Sequence, residues 1–335
     1  MELYLKDTQQ VLLAKFTDSV MLADSYKESI KDFYRFKTYT KPAEMGLPLR
    51  SMDFTEPYMY AQSILGGTWN QYNTPFMIQI PLCNIRCNFC FVDRDLIIGN
   101  GKYFTFEEIW VKYVENTPGN GVIRISGGEP FLASEFLIDF ANFVHFKTSL
   151  TNRKVMLWID TNLTIDMDIY QNVVTMLNLT GISYGIVGCF KGFDAAHLQD
   201  NLSETIQTLE SATNLFIKQI TNARTLIEYG RDHIFFYVPE FLQMITLDDM
   251  KIRIDLFLEN LRNMVDTNAP LRTTVLRIKE YATNKDRMSQ IHRNVMTGDS
   301  KVIWNCLLQT LYKPEELWLP QSQIGFKLDR IEGYK

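Results

Sequence analysis

The sequence predicts an α/β fold in which six β/α repeats form a parallel sheet that curves into a partial barrel. Two observations carry this prediction. Short apolar runs alternate with amphipathic helical stretches across residues 74–284, and the helical stretches have recognisable starts and apolar faces. The predicted strands are Phe76–Leu82, Val122–Ser126, Lys154–Asp160, Gly181–Phe190, His233–Pro239 and Thr273–Tyr281.

Helical segments are predicted between these strands. Thr105-Phe-Glu-Glu108 has the pattern of a capping box and predicts a helix that runs towards Asn116. Ser134 begins a second helix. Apolar residues at helical spacing predict two more, one through Leu202–Ile220 and one through Leu247–Leu261.

The two ends of the chain are predicted to be helical extensions of the barrel. Residues 1–73 form a mainly helical N-terminal extension, with Gln9–Lys37 as its clearest helical part. Residues 285–335 form a C-terminal extension, and its Trp304 and Trp318 indicate packing against the barrel. We expect the two extensions to cover the lateral gap of the six-stranded sheet.

Composition limits the class of protein. The chain has 335 residues and 46% apolar content, enough for one barrel-sized core. Its net charge of −5 argues against nucleic-acid binding that depends mainly on electrostatic attraction. A local basic patch is still compatible with this charge. The sequence has no run of about 18 apolar residues and no secretory pattern at Met1, so we expect a cytoplasmic protein without a membrane span.

A cluster of three cysteines follows the first predicted strand. Cys83, Cys87 and Cys90 have CxxxCxxC spacing. Iron–sulfur clusters prefer thiolate ligands, and three cysteines on a [4Fe–4S] cluster leave one iron open to another ligand. A structural zinc site is the alternative, but such sites normally add a second CxxC pair or histidines, and the sequence shows neither.

The cysteine loop, with Phe89 before its last cysteine, resembles the radical S-adenosylmethionine (SAM) superfamily. The turn Gly127-Gly128-Glu129-Pro130 after the second predicted strand also resembles that family. The resemblance implies a partial (β/α)6 barrel in which Cys83, Cys87 and Cys90 bind the cluster. It implies that Gly127, Gly128 and Glu129 receive the amino group of SAM, with Phe89 beside the cofactor.

Further candidates lie where the predicted strands end, because a parallel barrel places its chemistry there. The resemblance to enzymes that activate glycyl-radical partners implies SAM contacts for Asp160 and Asn162 and a cofactor or catalytic role for Lys191. The alternatives are helix capping for the first two and a solvated loop lysine for the third. Cys189 could donate a hydrogen atom in catalysis, or it could be an inert buried thiol.

The resemblance implies a reduced [4Fe–4S] cluster that cleaves SAM to a 5′-deoxyadenosyl radical, which then abstracts hydrogen from a protein or small-molecule substrate. It also implies a ferredoxin or flavodoxin as electron donor. Two alternatives stay open. One is a radical SAM enzyme that modifies RNA or a nucleotide, as viperin does; the other is a non-catalytic iron–sulfur protein, although such a protein would not need the Gly-Gly-Glu-Pro turn.

Overall fold

The structure is a computed structural model of the chain. It describes residues 1–15, 28–31, 33–37, 60–61, 64–66, 75–117, 119–243, 245–276, 278, 284–290 and 299–312.

Strands and helices alternate through most of the described part of the chain. The strands are β1 (Tyr4–Leu5), β2 (Gln10–Leu13), β3 (Glu28–Lys31), β4 (Tyr34–Lys37), β5 (Phe76–Ile80), β6 (Lys102–Thr105), β7 (Gly121–Gly127), β8 (Val155–Thr161), β9 (Ser183–Cys189), β10 (Ile234–Pro239) and β11 (Thr273–Leu276). The α-helices are α1 (Arg94–Ile97), α2 (Phe106–Asn116), α3 (Ser134–Ser149), α4 (Met167–Thr180), α5 (Ala195–Asn201), α6 (Leu209–Gly230), α7 (Leu247–Asn260), α8 (Lys285–Gln290) and α9 (Asp299–Leu311).

Six of the strands form the predicted parallel sheet, in the order β11-β10-β9-β8-β7-β5. Beyond β5 the sheet continues into β4 and β3, which run antiparallel. The two ends of this strand order do not pair with each other within the described residues, so the sheet is open. The α/β class and the six parallel strands are therefore confirmed.

The two faces of the sheet are buried differently. One face packs against the helices and forms the large core; Ile125, Leu157 and Ile186 point there. On the opposite face, Trp158 and Phe235 lie against Tyr60, whose ring centroid is 4.9 Å from that of Phe235. Tyr60 also places its hydroxyl 2.6 Å from His233 Nδ1, near the amino end of β10. The opposite face is thus filled at the amino ends of the strands.

The predicted helix boundaries hold where the start signals were strongest. Thr105 and Glu108 form the capping box of α2, with both reciprocal hydrogen bonds present. The helix predicted through Leu202–Ile220 is different: α5 ends at Asn201, a loop follows, and α6 starts at Leu209 with Thr208 as its N-cap. Helical spacing alone did not reveal this break, because the loop residue Leu202 is as buried as the helix residues around it.

The prediction of a mainly helical N-terminal extension is wrong for its described residues. Gln10–Leu13 is a strand between β1 and β6, and residues 28–31 and 34–37 are strands. Val11, Leu12 and Leu13 are buried, and a short apolar run of this kind fits a two-sided buried strand as well as a helix. Phe16, Val20 and Leu22, which supported the helical reading, lie outside the described residues.

The C-terminal extension is helical where the structure describes it. Trp304 on α9 is buried, and its ring lies 6.0 Å from Phe257 of α7 and 6.3 Å from Phe193. The predicted packing against the sheet domain is thus present, while Trp318 lies outside the described residues. Each helix in the described ranges is too short or too polar to cross a bilayer. The domain boundaries at residues 73 and 284 stay a prediction.

Candidate cluster and cofactor site

A cleft opens at the carboxyl ends of the parallel strands, where the sequence predicts the chemistry. It contains about 1370 Å³ of space free of protein atoms, part of it open solvent. All predicted site residues except Glu129 line it, namely Cys83, Cys87, Phe89, Cys90, Gly127, Gly128, Asp160, Asn162, Cys189 and Lys191. The fold therefore brings residues from four strand ends to one place.

The three loop cysteines are free thiols at one side of the cleft. Burial raises the pKa of Cys87 to about 11, although Lys191 and Arg287 lower it. Burial likewise raises the pKa of Cys83 and of Cys90. Without metal these thiols are protonated at neutral pH, so binding of iron must release protons from them.

The cysteines do not surround a single point. Within the described residues, no three side chains of His, Cys, Asp or Glu are placed to hold one metal ion together. In a [4Fe–4S] cluster each cysteine binds a different iron, so its ligands need not converge in that way.

Polar contacts with the α5 region fix the cysteine loop. The backbone N–H of Asn88 donates to the carbonyl oxygen of Asn201 at 2.9 Å. Its side-chain amide donates to the carbonyl oxygen of Asp200 at 2.7 Å and to Ser203 Oγ at 3.0 Å. Asn88 lies between Cys87 and Cys90, so these bonds hold the middle of the loop.

The Gly-Gly-Glu-Pro turn is joined directly to the cysteine loop. The N–H of Gly128 donates to Ile80 O at 2.7 Å, and the N–H of Glu129 donates to Leu82 O at 2.9 Å. Gly127 has φ of +101°, which favours glycine. The two sequence motifs thus meet because β5 and β7 are neighbours and their ends stay hydrogen-bonded past the sheet.

Glu129 is the predicted site residue that does not line the cleft. Its carboxylate is fully buried and accepts hydrogen bonds from the N–H of Asn162 at 2.6 Å and of Phe131 at 3.1 Å. Burial raises its pKa to about 7, while these N–H donors lower it. The carboxylate therefore joins the ends of β7 and β8 behind the cleft wall, and the expected contact with an amino group would require these bonds to change.

Asn162 lies between the turn and the cluster loop. Its amide nitrogen donates to Asn84 Oδ1 at 2.8 Å and lies 3.7 Å from Cys83 Sγ. Its side-chain oxygen accepts from the N–H of Thr164 at 2.9 Å. The helix-capping alternative does not apply to this residue, because Asp166 holds the N-cap position of α4.

Asp160 forms an ion pair with Arg124, a residue that the sequence reasoning missed. Arg124 Nε and a second guanidinium nitrogen lie 3.0 and 2.8 Å from Asp160 Oδ2. The two side chains are only 10% and 14% exposed, and both line the cleft. A charged residue within the apolar run Val122–Ile125 is the signal that could have identified Arg124.

Lys191 lies among the thiols of the cleft. Burial lowers the pKa of this lysine, whereas Cys87, Cys189, Cys83 and Cys90 in their thiolate form raise it more, so the net shift of its pKa is upward. Burial raises the pKa of Cys189 to about 12, although Lys191 lowers it, so this thiol is protonated at neutral pH. Lys191 lines the cleft, and its role there stays a prediction.

One family model matches part of the chain. Residues 76–207 match the family model described as a 4Fe-4S single cluster domain. The match covers less than half of the chain. It contains the cysteine loop and the first four parallel strands. The match agrees with the recognition of the cysteine loop as a motif for a single [4Fe–4S] cluster.

Curated relatives match parts of the domain. The chain is 29% identical to YfkA of Bacillus subtilis (strain 168) over 153 residues, which cover 44% of this chain and 38% of that protein. It is 32% identical to the 7-carboxy-7-deazaguanine synthase of Koribacter versatilis (strain Ellin345) over 63 residues, 19% of this chain and 26% of that enzyme. The match thus spans less than half of either relative.

Solved structures show a weak likeness. Native anSMEcpe with bound AdoMet is 16% identical with a TM-score of 0.31, and the match covers 55% of this chain and 59% of that chain. The complex of anSMEcpe with AdoMet and the Cp18Cys peptide is 19% identical, also with a TM-score of 0.31, over 57% of this chain and 62% of that chain. These values are too low to support an argument about function.

Proposed function

We propose that this protein is a radical SAM enzyme that binds SAM beside a [4Fe–4S] cluster and abstracts a hydrogen atom from a substrate. One observation carries the proposal: a single cleft contains the three cysteines, the turn Gly127–Gly128 and the cation Lys191. A cluster protein without SAM chemistry would need only the cysteines.

The residues of the loop fit the cluster. Cys83, Cys87 and Cys90 supply three thiolates, and no fourth cysteine belongs to the loop. Phe89 and Ile85 line the same wall with apolar surface, which limits water around the sulfurs. Cys83, Cys87 and Cys90 would hold the cluster, which would supply the electron for reductive cleavage of SAM.

The part of the cleft next to the cysteine loop fits the amino-acid part of SAM. Gly127 and Gly128 offer backbone without side chains, so a ligand can approach closely. Lys191 is placed to meet a carboxylate, and Asn162 offers polar groups next to Cys83. Glu129 supports this part of the cleft through its bond to the N–H of Asn162. A hydrogen-donor role for Cys189 is part of the proposal, since its thiol lines the same cleft.

The reaction needs an electron from outside the chain. We propose a ferredoxin or flavodoxin as the donor and a protein or small molecule as the substrate, in an oxidoreductase or activase-like role. The negative net charge of the chain gives no support to a nucleic-acid substrate.

Formation of 5′-deoxyadenosine tests the proposal. The protein is reconstituted anaerobically with iron and sulfide, reduced, and incubated with SAM. We expect 5′-deoxyadenosine and methionine in equal amounts, and neither product with the Cys83→Ala variant. A native protein that holds the cluster but forms no more product than this variant would contradict the proposed activity.

A further inference from the structure

The C-terminal segment of the described structure reaches back to the cluster loop. The side-chain amide of Asn284 donates to Phe89 O at 3.0 Å, and the guanidinium of Arg287 donates to Cys90 O. These partners are 195 and 197 positions apart in the chain. Two backbone carbonyls at the last cysteine are thus held by a segment outside the matched domain.

The segment itself is fixed in place. Asn284 is fully buried, and its carbonyl oxygen accepts from the N–H of Met288 at 2.8 Å. Met288 is buried against Leu242 and Ile278, and Phe89 packs on this small cluster. Arg287 is therefore presented to the loop by a helix that is anchored on both sides of it.

We propose that Arg287 is a positioning residue that holds the cluster loop at Cys90 and raises the reduction potential of the cluster bound there. The inference rests on the proposed function, because it requires the cluster. A cation near a cluster favours the reduced, more negative form, and the effect is strong where water is excluded. The guanidinium of Arg287 is held next to the cluster loop by its hydrogen bond to Cys90 O.

Measurement of the midpoint potential tests the electrostatic part. The native protein and the variants Arg287→Met, Arg287→Lys and Lys285→Met are titrated anaerobically and followed by electron paramagnetic resonance. We expect a lower potential for Arg287→Met and a potential near the native one for Arg287→Lys. Lys285→Met, which removes an exposed cation from the same helix, should match the native protein. Equal potentials in native protein and Arg287→Met would overturn the proposal.

Hydrogen exchange of the full-length protein tests the positioning part, without using activity. Arg287→Met and Asn284→Ala should both exchange faster than native protein in peptides covering residues 86–93, while Lys285→Met should not. Unchanged exchange in both variants would show that the segment does not hold the loop. If native protein bound no cluster, the proposed function would fail, but this exchange result would still decide the structural claim.

Discussion

The backbone of Gly128 lies so close to the carbonyl oxygen of Leu82 that a β-carbon on Gly128 would be 1.9 Å from it. No real contact is that short, so a side chain at Gly128 must displace either the turn or the cysteine loop. The glycines of this turn therefore serve the junction of two backbone segments, in addition to any role towards a ligand.

We expect Gly128→Ala to reduce the iron bound per chain to less than half of the native amount, because the clash moves Leu82 and with it Cys83. Overpacking of this kind also costs about 1–3 kcal/mol of stability. Iron and sulfide analysis after anaerobic reconstitution measures the first effect. Gly119→Ala is the control for lost stability without a clash: its φ of +79° makes the substitution costly, but its β-carbon would meet no atom within 4 Å, so we expect native iron content. Native iron content in Gly128→Ala would show that the junction tolerates the displacement.

The ion pair of Arg124 and Asp160 gives a prediction about stability. Removal of one partner from a buried pair leaves an uncompensated charge and costs about 3–5 kcal/mol, whereas replacement of both by apolar residues can be nearly neutral. We expect Arg124→Met to lower the free energy of unfolding by that amount and the double variant Arg124→Met/Asp160→Leu to recover most of it. Urea unfolding measures both. If the double variant lost as much unfolding free energy as the two single variants together, the coupling of the two charges would be contradicted.

The sequence predicted the parts of the fold that depend on local pattern. Phe76–Ile80 and Gly121–Gly127 are apolar runs followed by distinctive motifs, so their pairing and the meeting of their ends could be anticipated. The role of Glu129 could not. Whether a carboxylate faces a cleft or the N–H of Asn162 depends on the path of β8, which is set by contacts distant in sequence.

Long-range contacts also explain the other differences. Gln10–Leu13 has an apolar run that fits either a strand or a helix. It forms a strand because it pairs with the antiparallel strand Lys102–Thr105. The guanidinium of Arg287 donates a hydrogen bond to Cys90 O, 197 positions away in the chain. No pattern in the sequence around either residue predicts that contact. Motifs of a few residues predicted where the candidate site lies. The residues that hold these motifs in place are brought there by contacts distant in sequence.

Glu129 predicts a pH dependence of stability. Its carboxyl has a pKa of about 7 in the folded state against 4.5 for an ordinary glutamate. Between these values the native state binds more protons than the unfolded chain, so the free energy of unfolding falls as pH rises through this window, by about 3 kcal/mol. We expect urea unfolding between pH 4.5 and 7.5 to show a smaller decrease for Glu129→Gln. Parallel curves for the two proteins would show that the native carboxyl does not titrate there.

Replacement of the three loop cysteines should remove the bound iron. We expect about four irons per chain in reconstituted native protein and essentially none in the variant with Cys83, Cys87 and Cys90 replaced by Ala. Cys306→Ala is the matched control, because this cysteine is exposed on α9, away from the cleft. Zinc as the native metal, or a [4Fe–4S] spectrum in the triple variant, would contradict the assignment.

Lys191 gives a direct test of the proposed SAM site, because its side chain lies among the thiols of the cleft. Loss of a charge-assisted hydrogen bond to the carboxylate of SAM costs about 1.5–3 kcal/mol, roughly ten- to a hundredfold in affinity or turnover. We expect Lys191→Ala to slow formation of 5′-deoxyadenosine at least about tenfold while iron content and melting temperature stay native. Lys112→Ala, which removes an exposed lysine from α2, should leave the rate unchanged. A native cleavage rate and native SAM binding in Lys191→Ala would remove this lysine from the SAM site and confine the SAM contacts to the ends of β5, β7 and β8.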